Sequence, residues 1–243
     1  MPTWPTRTAI ALLVSSALTV SLAAQDPLVV SPDAYRLEFE NAWVRVTRVV
    51  YPPNAVIAPH FHTARASAYV YLHDGGPIVF KHEGLPYAGV TRPATRAGSF
   101  RVYKGIEEVH SVENPTDRPS EFLRVEFKTV PLDEASLRGK FFRDDPQPTA
   151  TSTRVQFENA QVRISRVQVA AGGALDLTTG GMPALVVALT RAGFASGGAA
   201  NRELGIGQTG WLDAGSAAVL RADPSALAEA LRFDWKTRPV AGS

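Results

Sequence analysis

The stretch Phe39-Glu40-Asn41-Ala42-Trp43-Val44-Arg45-Val46-Thr47-Arg48-Val49 decides the fold, because it occurs twice. It returns as Phe157-Glu158-Asn159-Ala160-Gln161-Val162-Arg163-Ile164-Ser165-Arg166-Val167, with most positions identical. A second echo closes each half: Leu123-Arg124-Val125-Glu126-Phe127-Lys128 returns as Leu231-Arg232-Phe233-Asp234-Trp235-Lys236. Two matches in the same order mark a duplication, and self-similarity of this kind sets the architecture before any local reading. Within each echo, β-branched and aromatic residues alternate with Arg, Thr or Glu, the period of two that belongs to a strand.

Working outward, the spacing predicts further short strands over 55–62, 67–73, 77–82, 99–104 and 109–114. They are separated by turn formers: Pro-Pro-Asn at 52–54, Asp-Gly-Gly at 74–76, Glu-Gly-Leu-Pro at 83–86 and Arg-Ala-Gly at 96–98. Many short strands with little helical periodicity predict an all-β sandwich or small barrel. Residues 131–153 change character. The run 133–138 reads as a short helix and 144–149, Asp-Asp-Pro-Gln-Pro-Thr, has a linker composition. Residues 226–232 read as a helical turn or, by alignment with the first half, as a loop entering the last strand.

In the 243-residue chain, 45% hydrophobic and 20% charged residues are ordinary for a globular protein and exclude a disordered or collagen-like chain. The net charge is only +2 and the basic residues are interleaved with acids, so there is no basic stripe for a nucleic acid. With no cysteine, disulfides, thiolate-bound metals, a Cys nucleophile and a lipoprotein anchor are all excluded. Any metal must be held by His, Asp or Glu. At the amino terminus Arg7 precedes an apolar run over 9–22, followed by Ala23 and Ala24. That pattern predicts a signal peptide over 1–24 and an exported protein, periplasmic or extracellular. The run is shorter than the ~20 residues that span a bilayer, so no membrane segment is expected after cleavage.

All five histidines, His60, His62, His73, His82 and His110, lie in the first half. In His60-Phe61-His62 the two imidazoles sit at i and i+2 and share one face of a strand. Imidazole suits Fe, Ni, Cu or Zn, and Mn in mixed sites. Such a pair by itself is a weak signal: a metal site, a packed polar remnant and a surface accident all remain open. His73 precedes a turn and His82 ends a strand beside Lys81, and both read as solvent-exposed.

The run from Pro52-Pro53-Asn54 through Pro59-His60-Phe61-His62, then an apolar strand ending at His73-Asp74-Gly75, resembles the first motif of the cupin superfamily. Gly98, Gly105 and His110-Ser111-Val112-Glu113-Asn114 resemble its second motif. Because the unit is duplicated, nearly the whole chain after the leader resembles a bicupin. The resemblance implies two tandem cupin-type double-sheet jelly rolls, over 25–130 and 154–238, joined by the linker 131–153. It also implies His60, His62 and His110 as ligands of a divalent transition metal, Fe, Mn, Ni, Cu or Zn. Two departures stand out. Ala66 and Ser67 occupy the positions of the family's glutamate ligand. The second motif has Tyr103 in place of a proline and extra residues Ile106-Glu107-Glu108-Val109. Glu108 could share a face with His110 and replace the missing carboxylate, and Glu107 or Glu108 is the nearest acid–base candidate.

In the second copy the echo offset sets Thr178 and Gly180 against His60 and His62, and Ala218 against His110, so no ligand remains. Its glycine pairs lack the strand–helix context of a phosphate loop. The functional expectation is a metal-binding bicupin acting on a small molecule, dioxygenase- or isomerase-like, with Tyr69, Tyr71 and Arg101 as pocket groups. The competing expectation is a non-catalytic ligand-binding or structural bicupin. Pairing of the two copies within one chain would give a monomer, and pairing between chains a homodimer.

Overall fold

The alternating residues of the two echoes become strands buried on both faces. A computed structural model describes residues 26–85, 89–130, 149–198 and 201–240. The expected leader 1–24, the short helix at 133–138 and most of the linker 131–153 lie outside the described residues. A short helix, α1 (Pro27–Val30), is capped by the Asp26 side chain, which accepts from the Leu28 N–H. Nine strands follow in the first copy: β1 (Tyr35–Glu40), β2 (Val44–Tyr51), β3 (Val56–His62), β4 (Ser67–Tyr71), β5 (Ile78–Glu83), β6 (Gly89–Arg92), β7 (Phe100–Tyr103), β8 (Glu108–Glu113) and β9 (Ser120–Phe127). The second copy has β10 (Ser152–Glu158), β11 (Val162–Val169), β12 (Ala174–Asp176), β13 (Ala184–Ala188), β14 (Ala192–Ser196), β15 (Arg202–Leu204), β16 (Thr209–Leu212), β17 (Ala218–Arg221) and β18 (Ala228–Trp235).

The strand order is β1-β2-β9-β4-β7 and β3-β8-β5-β6 in the first copy. It is β10-β11-β18-β13-β16 and β12-β17-β14-β15 in the second, the same order strand for strand. Even the bulge between Leu37 and Phe39 recurs between Val155 and Phe157. The all-β, two-jelly-roll expectation holds. Every strand predicted between the echoes is present to within a residue or two at each end. β6 was not predicted, because Gly89 and Arg92 leave it without an apolar alternation. Residues 228–232 are strand rather than turn or loop, since β18 pairs along its length with both β11 and β13. β10 begins at Ser152, inside the expected linker.

Each five-stranded sheet uses both faces. Val44, Val46, Val70, Phe100, Leu123 and Phe127 point away from the first barrel and pack on Ile164, Leu185, Leu231, Phe233 and Trp235 of the second copy. The intervening residues of the same strands point into their own barrels. Burial of this apolar face, at roughly 25 cal/mol per Å², joins the copies through one continuous core. Two equivalent arginines lie at its edge. Arg48 bonds Glu38 and Glu121. Arg166 bonds Gln156 and Glu229, and crosses the interface to donate to the Gly98 carbonyl at 2.6 Å. The reciprocal contact sets Arg48 against Gly207, where a Cβ would stand 2.6 Å from the guanidinium. Gly98 and Gly207 share a left-handed φ of 74°, which favours glycine at these turns.

The Arg166 side chain is fully buried and its Glu229 partner is 13% exposed. Arg166→Ala strands that carboxylate and removes the tie to Gly98. The variant is expected to lose about 3–5 kcal/mol, read as a lower urea midpoint with an unchanged slope.

Candidate functional site

A bulge in β3 turns the histidines inward. Ile57 faces the first barrel opposite Val112 of β8, so strict alternation would next send Pro59 and Phe61 inward and both histidines out. The register shifts between Ile57 and His60, and Ala58 and Pro59 together bulge to the exposed side. Proline suits that place, because a bulge asks no ladder N–H of it. Beyond the shift, His60 pairs with His110 and His62 with Glu108. On the other flank of β8, His82 of β5 pairs with His110. Three histidines therefore lie in a row across β3, β8 and β5, with His62 and Glu108 in the next row.

His60, His62 and His110 are all buried, at 0%, 8% and 3% exposure. Their ring centroids are 4.8, 4.8 and 5.0 Å apart, and one nitrogen of each lies within 4.8 Å of the others. His60 Nδ1–H donates to the Ala58 carbonyl at 2.8 Å, which leaves Nε2 as an acceptor. Tyr35 Oη, 2.8 Å away, donates to it and is in turn 2.8 Å from Tyr51 Oη. Arg124 donates to His62 Nδ1, and its Nη2 lies 3.3 Å from Glu126. Neither ring nitrogen of His110 closes a hydrogen bond of ordinary length. Its Nδ1 lies 3.5 Å from Glu108 Oε1, and Glu108 Oε2 lies 3.3 Å from His82 Nε2.

The electrostatics follow from burial. Desolvation pushes His60 down to about 4, with Arg124 and His110 adding to the effect. Desolvation and then the Arg124 charge hold His62 well below its ordinary value, and burial lowers His110 despite Glu108 beside it. Burial would raise Glu108, but the close approach and charge of His110, then His82 and Arg124, hold it below the usual carboxylate range. The site thus presents three neutral imidazoles and an ionised carboxylate. Such a set fits a divalent transition metal: its ligand nitrogens are deprotonated, and the two His110 nitrogens are buried without partners. Two adjustments are required. His60 Nε2 accepts from Tyr35 Oη and must give up that bond to ligate a cation. Whichever nitrogen His62 offers, Nδ1 cannot go on accepting from Arg124, so the guanidinium must turn toward Glu126 when a cation binds.

His62, Glu108 and His110 form one wall of a chamber inside the first barrel. Tyr69, Tyr71, Phe80 and Phe122 supply its aromatic surface, and Arg92, Arg101 and Arg124 its positive charge. Arg101 lies 4.0 Å over the Tyr69 ring and donates to Tyr71 Oη at 3.2 Å. His62 and Arg124 also face a second, more polar cavity with Arg45, Glu107 and Glu126. In the second barrel a polar cavity opens on the equivalent residues Arg163, Ser165, Arg232 and Asp234, whereas the counterpart of the aromatic chamber is filled. Register sets Val186, Ala188, Gly210 and Ala230 where the first copy has Tyr69, Tyr71, Arg101 and Phe122. Phe194 lies over Gly210, with a ring carbon 2.5 Å from where a Cβ would be. The β12–β17 ladder also lacks the β3 bulge, so the residues opposite Ala218 and Ser216 are Leu177 and Thr179. The offset alignment that chose Thr178 and Gly180 is corrected by that one residue.

Of the sequence candidates, His60, His62 and His110 converge and Glu108 joins them from β8. Glu107 lines the polar cavity instead. Ala66 and Ser67 are buried and bring no carboxylate. His73 is exposed as expected, whereas His82 is not: its side chain is only 4% exposed and meets Glu108. The β5–β8 pairing that buries it has no local sequence signal. Tyr35, Tyr51 and Arg124 were also missed. For Arg124 a signal existed, since Ser120, Phe122, Arg124 and Glu126 share one face of a strand whose other face is apolar from Leu123 to Phe127. In metal-free protein the unfolded chain takes up protons on these rings below pH ~6.5, whereas folded His60 resists until about 4. Stability present above pH 6.5 is therefore expected to fall as pH drops toward 4. In His60→Gln the loss between pH 7 and 5 should shrink by about 2 kcal/mol, measured by urea unfolding at each pH.

No family model matches the sequence, and no curated protein matches it significantly. Solved structures match well in shape. AerE from Microcystis aeruginosa is similar with a TM-score of 0.59 at 12% identity, over 83% of this chain and 97% of that one. Salicylate 1,2-dioxygenase from Pseudoaminobacter salicylatoxidans, as adducts with gentisate, gives 0.56 at 12% identity, over 79% and 68%. The oxalate decarboxylase formate complex of Lactobacillus farciminis gives 0.53 at 12%, over 85% and 81%. At such identity the likeness speaks for the fold, and it agrees with the strand order and with the duplication: the chain has the fold of two tandem cupin-type jelly rolls.

Proposed function

We propose that this chain is an exported metal-dependent bicupin whose first copy holds a divalent transition metal on His60, His62 and His110 and acts on a small organic anion. The observation that carries the reading is the convergence of three buried, neutral imidazoles, two of which, His62 and His110, line an aromatic, arginine-lined chamber. A divalent ion on three neutral ligands keeps its full charge and open positions, and so supplies Lewis acidity toward a chelating ligand or bound water. The chain's own residues do the rest. Arg101 and Arg92 receive the anionic end of the ligand, and Tyr69, Phe80 and Phe122 cover its apolar body. Arg124, released from His62, supplies a further charge-assisted donor. Salicylate, gentisate and formate are the small carboxylic acids or carboxylates named for similar structures, and a dioxygenase- or isomerase-like reaction suits an open metal site. One observation favours a non-catalytic binding module instead: the Arg124 guanidinium already contacts a candidate ligand.

The exported protein, expected to begin at Gln25 once the leader is removed, should carry a divalent metal by elemental analysis. His60→Ala and His62→Ala should each lose one equivalent. A chain that stays metal-free after reconstitution with Fe, Mn, Ni, Cu and Zn would overturn the reading. Arg101→Met should weaken binding of aromatic carboxylates about 10–100-fold, the loss of one charge-assisted bond, in a calorimetric titration. Binding without turnover or oxygen uptake would assign the binding module.

A further inference from the structure

A second cation seat lies beside the first. We infer that His82 Nε2, the Glu108 carboxylate and His110 Nδ1 form a binding site for a tetrahedral divalent cation of the zinc class, with His110 turning one ring nitrogen to each seat. The inference rests on the three-histidine reading only in sharing His110. The sheet register builds the seat. His82 and His110 are direct cross-strand neighbours on β5 and β8, and Glu108 is two residues from His110 on the same face.

The separations favour a cation over hydrogen bonding. The two N···O distances, 3.3 and 3.5 Å, exceed the ~2.7–3.2 Å of ordinary hydrogen bonds. Each is close to the ~3.3–3.4 Å ligand–ligand edge of a tetrahedron with zinc–ligand bonds of ~2.0–2.1 Å, but the two run to different oxygens of Glu108. Glu108 turns one oxygen to each imidazole, so a small rotation of the carboxylate brings one oxygen to an ion held between the two rings. The three side chains are 4–5% exposed, and one ligand atom from each lies within 4.8 Å of the others. His110 Nδ1 is buried without a hydrogen-bond partner and aimed at this position. Glu108 brings the anionic charge that the three-histidine seat lacks. With both seats filled, His110 is an imidazolate and its proton leaves to solvent.

The experiment counts zinc on chelator-treated full-length mature protein by equilibrium dialysis and elemental analysis. Wild type should bind two equivalents. His82→Ala, Glu108→Gln and His60→Ala should each bind one, and His110→Ala should lose both. His82→Gln keeps a neutral polar group facing Glu108, so it preserves the fold while removing the ligand, and it should also bind one. A single equivalent in wild type, unchanged in His82→Gln and Glu108→Gln and lost in His60→Ala, would overturn the second seat. Glu108 and His82 would then only orient His110, and the three-histidine reading would stand. A single equivalent lost in His82→Gln and kept in His60→Ala would support the seat and overturn the three-histidine reading. No bound zinc in any form would overturn this seat.

Discussion

The apolar face shared by the two five-stranded sheets is the constraint on which the rest depends. Each sheet is covered on one side by its own barrel and on the other by the sheet of the second copy. Ile164, Phe233 and Trp235 meet Val44, Val46 and Phe127 in an interior that owes nothing to the first barrel's contents. A barrel standing by itself would have to fill its centre with apolar side chains to be stable. Here the interface supplies a large part of that burial, and the first barrel can hold tyrosines, histidines, arginines and carboxylates whose desolvation opposes folding.

The second copy shows the alternative. Its barrel is filled by Val167, Leu177, Val186, Phe194, Leu212 and Leu220 with alanines between them. Small residues at 188, 210 and 230 let the Phe194 ring occupy the space that the first copy leaves as a chamber. Both copies have one topology, so the difference between a site and a packed core lies in side-chain volume and polarity. In this chain the second copy acts as the support on which the first is built.

Within the first barrel, charges are balanced locally. Arg124 has Glu126 beside it, and Glu108 sits between His110 and His82. Burial keeps the imidazoles neutral, which suits metal ligation. It also leaves Arg124 as the group that must move before His62 can give up a lone pair. Cation binding and the position of this arginine are thereby coupled, and a guanidinium displaced from His62 lies where an anionic ligand would meet it.

Much of this was legible in the chain. The two echoes, the period-2 strands and the turn formers between them determined the duplicated all-β fold, because strand alternation and turn chemistry are local properties. The cluster of His60, His62 and His110 was legible as spacing. Tertiary structure decided which way those side chains point, since a strict alternation from Ile57 would have sent them outward and only the pairing of β3 with β8 produces the bulge at Ala58-Pro59. It also decided that His82, adjacent in sequence to an exposed lysine, is buried against Glu108, because the β5–β8 register brings together residues far apart in the chain. The same kind of non-local pairing set Leu177 and Thr179, rather than Thr178 and Gly180, in the places of the histidines. Local sequence determines which strands form, while the site depends on register, and register is settled only when sheets and cores assemble.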